Sequence, residues 1–257
     1  MKKHLLVSAF ALMAVGLSTQ NLRADDTDTQ IRVEIPVQAL LAPSTGFEEK
    51  NTIQVVLYGG LPNTCYTLGE ATTENLDDHT IRVRQFAIHE TSGMCADESS
   101  MPEHMKMIVP FMQEVSIGHL LAGDYRFEFT KAGSGGAFRA MTVSKNVTPT
   151  VDTLPYAAVS GVQAKDVISS LDHVMVTLSG VLNSTCTTLD QNVKIMREDD
   201  VLVLLPTIKV QHGVLCAQIM VPFQKRLDLG ALPPGIHLIH TRSMNGKAVN
   251  KVINVMK

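Results

Sequence analysis

The chain has 257 residues, of which 45% are apolar and 18% are charged, and its formal net charge is -3. This length suits about two domains, and the apolar content is enough for packed cores, so the composition excludes an intrinsically disordered protein. No basic patch or acidic tail stands out, which argues against nucleic acid or an anionic membrane surface as a partner.

The N-terminal segment, residues 1–24, has the parts of a secretory signal peptide. Two lysines supply the positive region, an apolar run follows from Leu5 to Leu17, and small Ala24 marks the expected cleavage point. The run is too short to span a membrane, and no later apolar stretch of about 18 residues exists. The sequence therefore predicts an exported protein, periplasmic or extracellular, without a transmembrane segment.

Short strand patterns follow along the chain. Residues 31–35, 81–84 and 125–129 alternate apolar and polar side chains, which is typical of strands with one buried face. Residues 201–205 form a continuous apolar run of the kind found in strands buried on both faces. Turn-forming residues separate these runs, and no window after the signal has a sustained helical period. We therefore expect an all-β protein.

An internal repeat is the strongest signal in the sequence. The segment Val55–Leu68 aligns without gaps with Val176–Leu189 at an offset of 121 residues, and the same offset places Cys95 on Cys216. Further on, Val-Pro-Phe recurs at an offset of 112, so the first copy carries nine extra residues before this motif. The repeat predicts an internal duplication.

Each copy is a unit of roughly 100 residues with several short strands, which favours a β-sandwich. We predict two tandem immunoglobulin-like β-sandwich domains at residues 28–145 and 157–257. The linker between them, residues 146–156, contains two prolines that stiffen it.

Four cysteines in an exported protein indicate disulfides. Three pairings are possible, and the equal spacing within the two copies favours Cys65–Cys95 and Cys186–Cys216. Each bridge closes a loop of about thirty residues, which stabilises a domain by roughly 3 kcal/mol through the unfolded state. A zinc site is the weaker alternative because the pairs lack a Cys-x-x-Cys spacing.

One motif of the first copy resembles a known repeat. The pattern Gly-x-Leu-Pro-x-x-Cys, a second Cys, Pro-Phe and Leu-x-x-Gly-x-Tyr resembles a repeat of secreted and lipid-anchored bacterial proteins of unknown function with immunoglobulin-like sandwiches. It runs here from Gly59 through Cys95 to Tyr125, and the second copy has Asn183 in place of Pro and His237 in place of Tyr. The resemblance implies a fold and a compartment, and it carries no catalytic residues.

No catalytic motif is present. The sequence contains no nucleophile elbow, no zinc-protease motif and no nucleotide-binding loop, and His89-Glu90 is interpreted as an exposed strand end. We therefore expect a protein without enzymatic activity and without a cofactor.

One cluster of soft ligands lies in the nine-residue insertion and its surroundings. Met101, His104, Met105 and Met107 would supply thioether and imidazole ligands suited to Cu(I). The alternatives are methionines that fill gaps beneath a long loop, or a methionine-rich surface that binds a partner.

These observations leave three functions open. The first is a non-enzymatic binding or structural protein, whose partner is another protein or an envelope component and whose contact surfaces are the loop at residues 95–109 and the glycine-rich tip at 133–136. The second is a periplasmic copper-binding protein, and the third is a secreted inhibitor of a protease or lysozyme. The oligomeric state is left open.

Overall fold

A computed structural model describes residues 30–145 and 154–257 of the chain. The predicted signal peptide and most of the predicted linker lie outside the described residues. Within them the regular structure is β-strand, apart from one-turn 3-10 helices at Gly93–Cys95, Glu103–Met105 and Met244–Gly246. The prediction of an all-β fold is confirmed, and no helix of the described residues is long and apolar enough to cross a membrane.

The first half of the chain forms two sheets. Its strands are β1 (Gln30–Ile35), β2 (Ala39–Leu41), β3 (Phe47–Glu48), β4 (Ile53–Leu61), β5 (Tyr66–Asn75), β6 (Thr80–Glu90), β7 (Val109–Gly118), β8 (Gly123–Lys131) and β9 (Gly135–Ser144). The large sheet has the order β1-β6-β8-β9-β3, with β5 also paired to β6, and the small sheet has the order β2-β4-β7.

The second half repeats this arrangement. Its strands are β10 (Ala158–Gln163), β11 (Val167–Ser169), β12 (Met175–Leu182), β13 (Thr187–Leu189), β14 (Lys194–Glu198), β15 (Val201–Leu205), β16 (Ile208–Val210), β17 (Val221–Asp228), β18 (Gly235–Arg242) and β19 (Ala248–Met256). The large sheet has the order β11-β19-β18-β15-β14, the small sheet has the order β10-β12-β17, and β13 pairs with β16.

The pairing registers of β4 with β7 and of β6 with β8 recur in the second half. Gly59 pairs with Phe111 as Gly180 pairs with Phe223, and these partners are related by the sequence offsets of 121 and 112. The parallel pairs agree as well, since β6 meets β8 in the same register in which β15 meets β18. Because one register slip would reverse every side chain, this agreement supports the predicted duplication.

The large sheets of both copies are mixed and contain the same two kinds of parallel pair. β3 runs parallel to β9 and β6 runs parallel to β8, and the corresponding strands of the second half are also parallel. Immunoglobulin domains are built from antiparallel sheets, so the two halves share the sandwich architecture and differ from that family in these parallel pairs.

The recurring glycine before the first cysteine has a packing role. A Cβ atom added at Gly59 would lie 2.8 Å from Cζ of Phe111, its partner on β7. At Gly180 the added Cβ would lie 2.8 Å from the ring of Phe223 and 2.2 Å from the carbonyl oxygen of Ala158. The motif therefore keeps glycine where an aromatic side chain of the next strand crosses the backbone.

The tyrosine of the motif, Tyr125, holds the loop that precedes β8 in place. The Tyr125 hydroxyl donates to the carbonyl oxygen of Leu121 at 3.0 Å. In the second copy Nε2 of His237 donates to the carbonyl oxygen of Pro233 at 2.8 Å, so the substituted histidine makes the equivalent bond. Such a side-chain bond to the preceding loop resembles the tyrosine corner of sandwich domains.

The two halves stack face to face. Each half has its own core between its two sheets, and a third apolar cluster joins the outer face of the first half's small sheet to the outer face of the second half's large sheet. Leu41 and Val56 contribute to this cluster from the first half, and Val203 and Leu238 contribute from the second. Within the described residues, the two large and the two small sheets therefore form four successive layers.

This stacking explains the apolar run at residues 201–205. All five side chains of β15 are buried, as the sequence predicted. Leu202 and Leu204 face the core of the second half, whereas Val201, Val203 and Leu205 face the first half. Both faces of β15 are covered because successive side chains point to opposite sides of a strand.

Polar contacts border the shared apolar cluster. Glu198 accepts hydrogen bonds from the backbone N–H and the hydroxyl of Ser44, at 2.6 and 2.9 Å. Arg139 donates to Asp200 at 2.5 Å, and Asn250 donates to Glu114 at 2.7 Å. These bonds give the apolar contact a defined orientation, because buried and half-buried polar groups require matched partners.

His240 lies at this junction in a buried, neutral state. Its Nδ1 is 2.8 Å from Oδ1 of Asn250, and its ring contacts the edge of Phe47 from the first half. Burial, together with the nearby Arg242 guanidinium, lowers the pKa of His240 to about 3.

The end of the predicted linker pairs with the second half. The amide of Ala157 donates to the carbonyl oxygen of Pro206, and the amide of Ile208 donates to the carbonyl oxygen of Pro155, both at 2.8 Å. Tyr156 is buried in the cluster between the halves.

Candidate functional site

The candidate site is the end of the first sandwich that carries the long loop between β6 and β7. The loop contains the nine extra residues of the first copy. β6 and β8 run in the same direction, so the loop after β6 and the glycine-rich tip after β8 lie at the same end of the sheet. Loops at one end of a sandwich commonly carry its binding function.

The disulfides anchor the loop in each copy. Cys65 is bonded to Cys95 with a Cα–Cα distance of 5.6 Å, and Cys186 is bonded to Cys216 with a Cα–Cα distance of 5.5 Å. Both distances are typical of disulfides. The predicted pairing is confirmed, with one bridge in each half.

Backbone bonds reinforce the anchor at equivalent positions of the two copies. The amide of Thr64 donates to the carbonyl oxygen of Met105 at 3.0 Å, and the amide of Thr185 donates to that of Ala217 at 3.1 Å. Each bond joins the residue before the first cysteine to a residue that follows the second cysteine, so it fastens the loop in addition to the disulfide.

A polar cluster holds the inserted residues of the first copy. The rings of Tyr66 and His89, which are partners across β5 and β6, stack at a centroid distance of 4.3 Å. Oε1 of Glu98 accepts from Asn63 at 3.3 Å and from the Tyr66 hydroxyl at 3.4 Å, and it lies 3.8 Å from Nε2 of His89. Partial burial and the Glu98 carboxylate raise the pKa of Tyr66.

This cluster corrects the interpretation of His89 as an exposed strand end. The side chain is 19% exposed, because it is stacked on Tyr66 and lies near the inserted Glu98. Sequence reasoning missed the cluster because its members are up to 35 residues apart. The equal spacing of the cysteines could have indicated that residues 63–66 and 95–98 are neighbours.

The structure places the four predicted copper ligands in different environments. Met101 is 3% exposed, Met105 is half-buried in the 3-10 turn Glu103–Met105, and His104 and Met107 are exposed. Met101 therefore has the burial expected of a gap-filling methionine. No group of three or more His, Cys, Asp or Glu residues in the described parts of the chain could hold a metal ion. Copper binding by this loop stays a prediction.

Apolar side chains project from the same loop and from the strand that follows it. Met94, Met107 and Ile108 are 64%, 63% and 67% exposed, and Met112 on β7 is 40% exposed. These large apolar groups lie on an anchored loop and on the strand that follows it, which makes them the candidate contact residues of this end of the sandwich. We refer to these four side chains as the apolar loop surface.

The glycine-rich tip is a tight hairpin turn. Lys131 pairs with Gly135 at the end of the β8–β9 ladder, and all residues from 131 to 136 are exposed. Gly133 and Gly135 have φ values of +78° and +76°, which favour glycine. The tip is therefore a turn without the helix that a phosphate-binding loop would need.

The geometry defines a protein of two disulfide-stapled β-sandwiches with anchored, partly apolar loops. A family model described as the ORF11 beta-sandwich domain matches residues 176–255, which span β12 to β19. The match supports the β-sandwich fold of the second half. No curated protein and no solved structure matches the chain.

Proposed function

We propose that the chain is an exported, non-enzymatic binding protein whose first sandwich presents the apolar loop surface and the neighbouring hairpin tip to a protein partner. The observation that carries this proposal is the exposure of three large apolar side chains, Met94, Met107 and Ile108, on a loop anchored by a disulfide. An anchored loop loses little conformational entropy when it binds, so its exposed side chains contribute more of their burial energy to affinity.

Methionine suits such a surface. Its flexible, polarisable side chain adapts to partners of irregular shape, and methionine-rich surfaces recur in proteins that bind other proteins. The loop contributes two of the exposed methionines and β7 a third. A surface of this kind fits an apolar patch or groove on a partner.

The polar cluster beneath the loop is accounted for by a structural role. Tyr66, His89 and Glu98 contact one another and Asn63, and these contacts tie the inserted residues to β5 and β6. The proposed binding function needs no reaction at this site.

The two disulfides support export. Structural disulfides persist in oxidising compartments and are rare where thiols are kept reduced. All four cysteines of the chain are bonded in the two bridges.

Site-specific photo-crosslinking in the native source tests this proposal. A photoreactive residue is placed at Met107, and a matched control is placed at Leu121, which is 76% exposed in the loop between β7 and β8 at the other end of the first sandwich. The proposal predicts one predominant crosslinked protein from position 107 and none from position 121.

The captured protein is then purified and its affinity is measured. The double variant M94S/M107S should weaken binding about tenfold or more, whereas L121S should leave it unchanged, because burying one large apolar side chain contributes roughly 1.5–3 kcal/mol. Equal crosslinking at both positions, or equal affinity of the two variants, would refute the proposal. If the partner is a protease or a lysozyme, its activity in the complex tells an inhibitor from a simple binder.

A further inference from the structure

The second half has an apolar groove at the end that corresponds to the loop end of the first half. Its walls include Ala158, Leu182, Thr187, Ile208, Met220 and Met244, and its volume is about 140 Å³. An apolar cavity of about 150 Å³ accepts a molecule the size of benzene. The groove therefore has room for one branched apolar side chain.

Differences between the two copies explain why the groove is open. Thr187 occupies the position of Tyr66, so a small side chain replaces a large stacked ring. In the first copy Cγ2 of Ile108 lies 2.3 Å from where a Cβ on Gly60 would be. In the second copy Val181 stands at that glycine position, and the equivalent of Ile108 is Met220, which is 71% exposed.

A leucine projects from the loop beside this groove. Leu215 is 103% exposed, and the next residue, Cys216, is bonded to Cys186, which directly precedes the groove residue Thr187. Ala217 exchanges two hydrogen bonds with Thr185, both at 3.1 Å, so the base of the loop is held at a fixed place.

The surface around Leu215 is both apolar and uncharged. Val214 and Ile219 are 47% and 55% exposed, and residues 211–220 contain no Asp, Glu, Lys or Arg. The residues that line the groove carry no charged group either. Two identical surfaces repel each other when they present the same charge, and neither residues 211–220 nor the residues that line the groove contribute a Lys, Arg, Asp or Glu to such repulsion.

We propose that this end of the second sandwich binds a second copy of the chain, with Leu215 of each copy inserted into the groove of the other. The projecting leucine and the groove lie on the same end of one molecule, so a twofold axis forms both contacts at once. The interface is independent of the apolar loop surface of the first half.

Sedimentation of the full, oxidised chain over a range of concentrations tests this inference. The wild type should form a dimer, and L215A should weaken it by at least about a hundredfold because each dimer loses two leucine contacts. Leu171, which is 89% exposed in the turn between β11 and β12, is the matched control. L171A should dimerise as the wild type does.

A mixing experiment separates this contact from unspecific apolar association. L215E removes the projecting leucine, and A158L fills the groove, so each variant alone should be monomeric. An equimolar mixture should form a heterodimer that is weaker than the wild-type dimer, because it keeps one of the two contacts: the leucine of the A158L chain can still enter the open groove of the L215E chain. Leu215 is fully exposed, so L215E is expected to fold with an unchanged melting temperature.

A monomeric wild type at high concentration would overturn the proposal. So would a wild-type dimer that L215E does not dissociate. If the proposed partner of the first half binds L215E as it binds the wild type, the two surfaces are shown to act separately.

Discussion

Replacement of Gly180 by alanine is expected to destabilise the second half more than the equivalent change at Gly59 destabilises the first. The added Cβ at Gly180 would lie 2.2 Å from the backbone carbonyl oxygen of Ala158, which cannot move without disturbing the β10–β12 pairing. At Gly59 the nearest atom, at 2.8 Å, belongs to the ring of Phe111, and the nearest backbone atom is 3.4 Å away. A ring can rotate away at a lower cost than a paired backbone can shift.

Overpacking of a core costs about 1–3 kcal/mol, and alanine gains back about 0.4–1 kcal/mol through the unfolded chain. With the cost at the upper end of this range for the backbone contact, the net loss in the free energy of unfolding should be about 2 kcal/mol for G180A and at most about 1 kcal/mol for G59A. Gly136 is the control, because its φ is ordinary and no atom lies within 4 Å of an added Cβ. G136A should be neutral or slightly stabilising.

Scanning calorimetry of the full, oxidised chain measures these effects. A loss of about 2 kcal/mol should lower the melting temperature of the affected half, which has about 100 residues, by about 8–16 °C. Removal of the ring should relieve the strain at Gly59 only, so F111A/G59A should be no less stable than F111A. If G180A and G136A have the same melting temperature, β10 does not approach Gly180 as closely as the structure indicates.

The second half expressed alone should melt cooperatively in calorimetry, but at a lower temperature than in the full chain. Its large sheet would then expose the apolar face that packs on the first half. A fragment without a cooperative transition would contradict the independence of this half. Met101 is buried, so M101A should cost about 2–5 kcal/mol in denaturant unfolding, whereas H104A should cost little. Cu(I) should leave the melting temperature unchanged; a one-to-one shift that disappears when His104, Met105 and Met107 are replaced together would establish a copper site. His240 has a pKa of about 3 in the fold, below its unfolded value, so the stability that its neutral form contributes is present above about pH 6.5 and is lost as the pH falls. Between pH 7 and pH 5 the free energy of unfolding should therefore fall by about 2 kcal/mol, and H240Q should not show this fall.

Much of the fold could be predicted from the sequence because the duplication provides an internal alignment. The equal spacing of Cys65–Cys95 and Cys186–Cys216 indicated the disulfides, and the apolar run at 201–205 indicated a strand covered on both faces. What covers the second face could not be predicted, since Leu41 and Val56 carry no signal of a distant partner. Packing between halves depends on three-dimensional shape rather than on local periodicity.

The candidate site was predicted less completely for a similar reason. The loop and the hairpin tip were recognised from their length and glycines, whereas the contacts of Glu98 with Tyr66 and His89 depend on where the disulfide places the insertion. The four predicted copper ligands were grouped by proximity in sequence. The burial of Met101 shows that neighbouring residues of a loop can face opposite sides of it.

Non-reducing peptide mapping of the protein isolated from its native source tests the central claim most directly, namely that the chain is an exported pair of identically stapled sandwiches. Peptides joined through Cys65–Cys95 and through Cys186–Cys216 should be found, together with an N-terminal peptide that begins near Asp25. A bridge between the halves would contradict the duplication as described. Four free thiols on a chain that keeps its first 24 residues would contradict export.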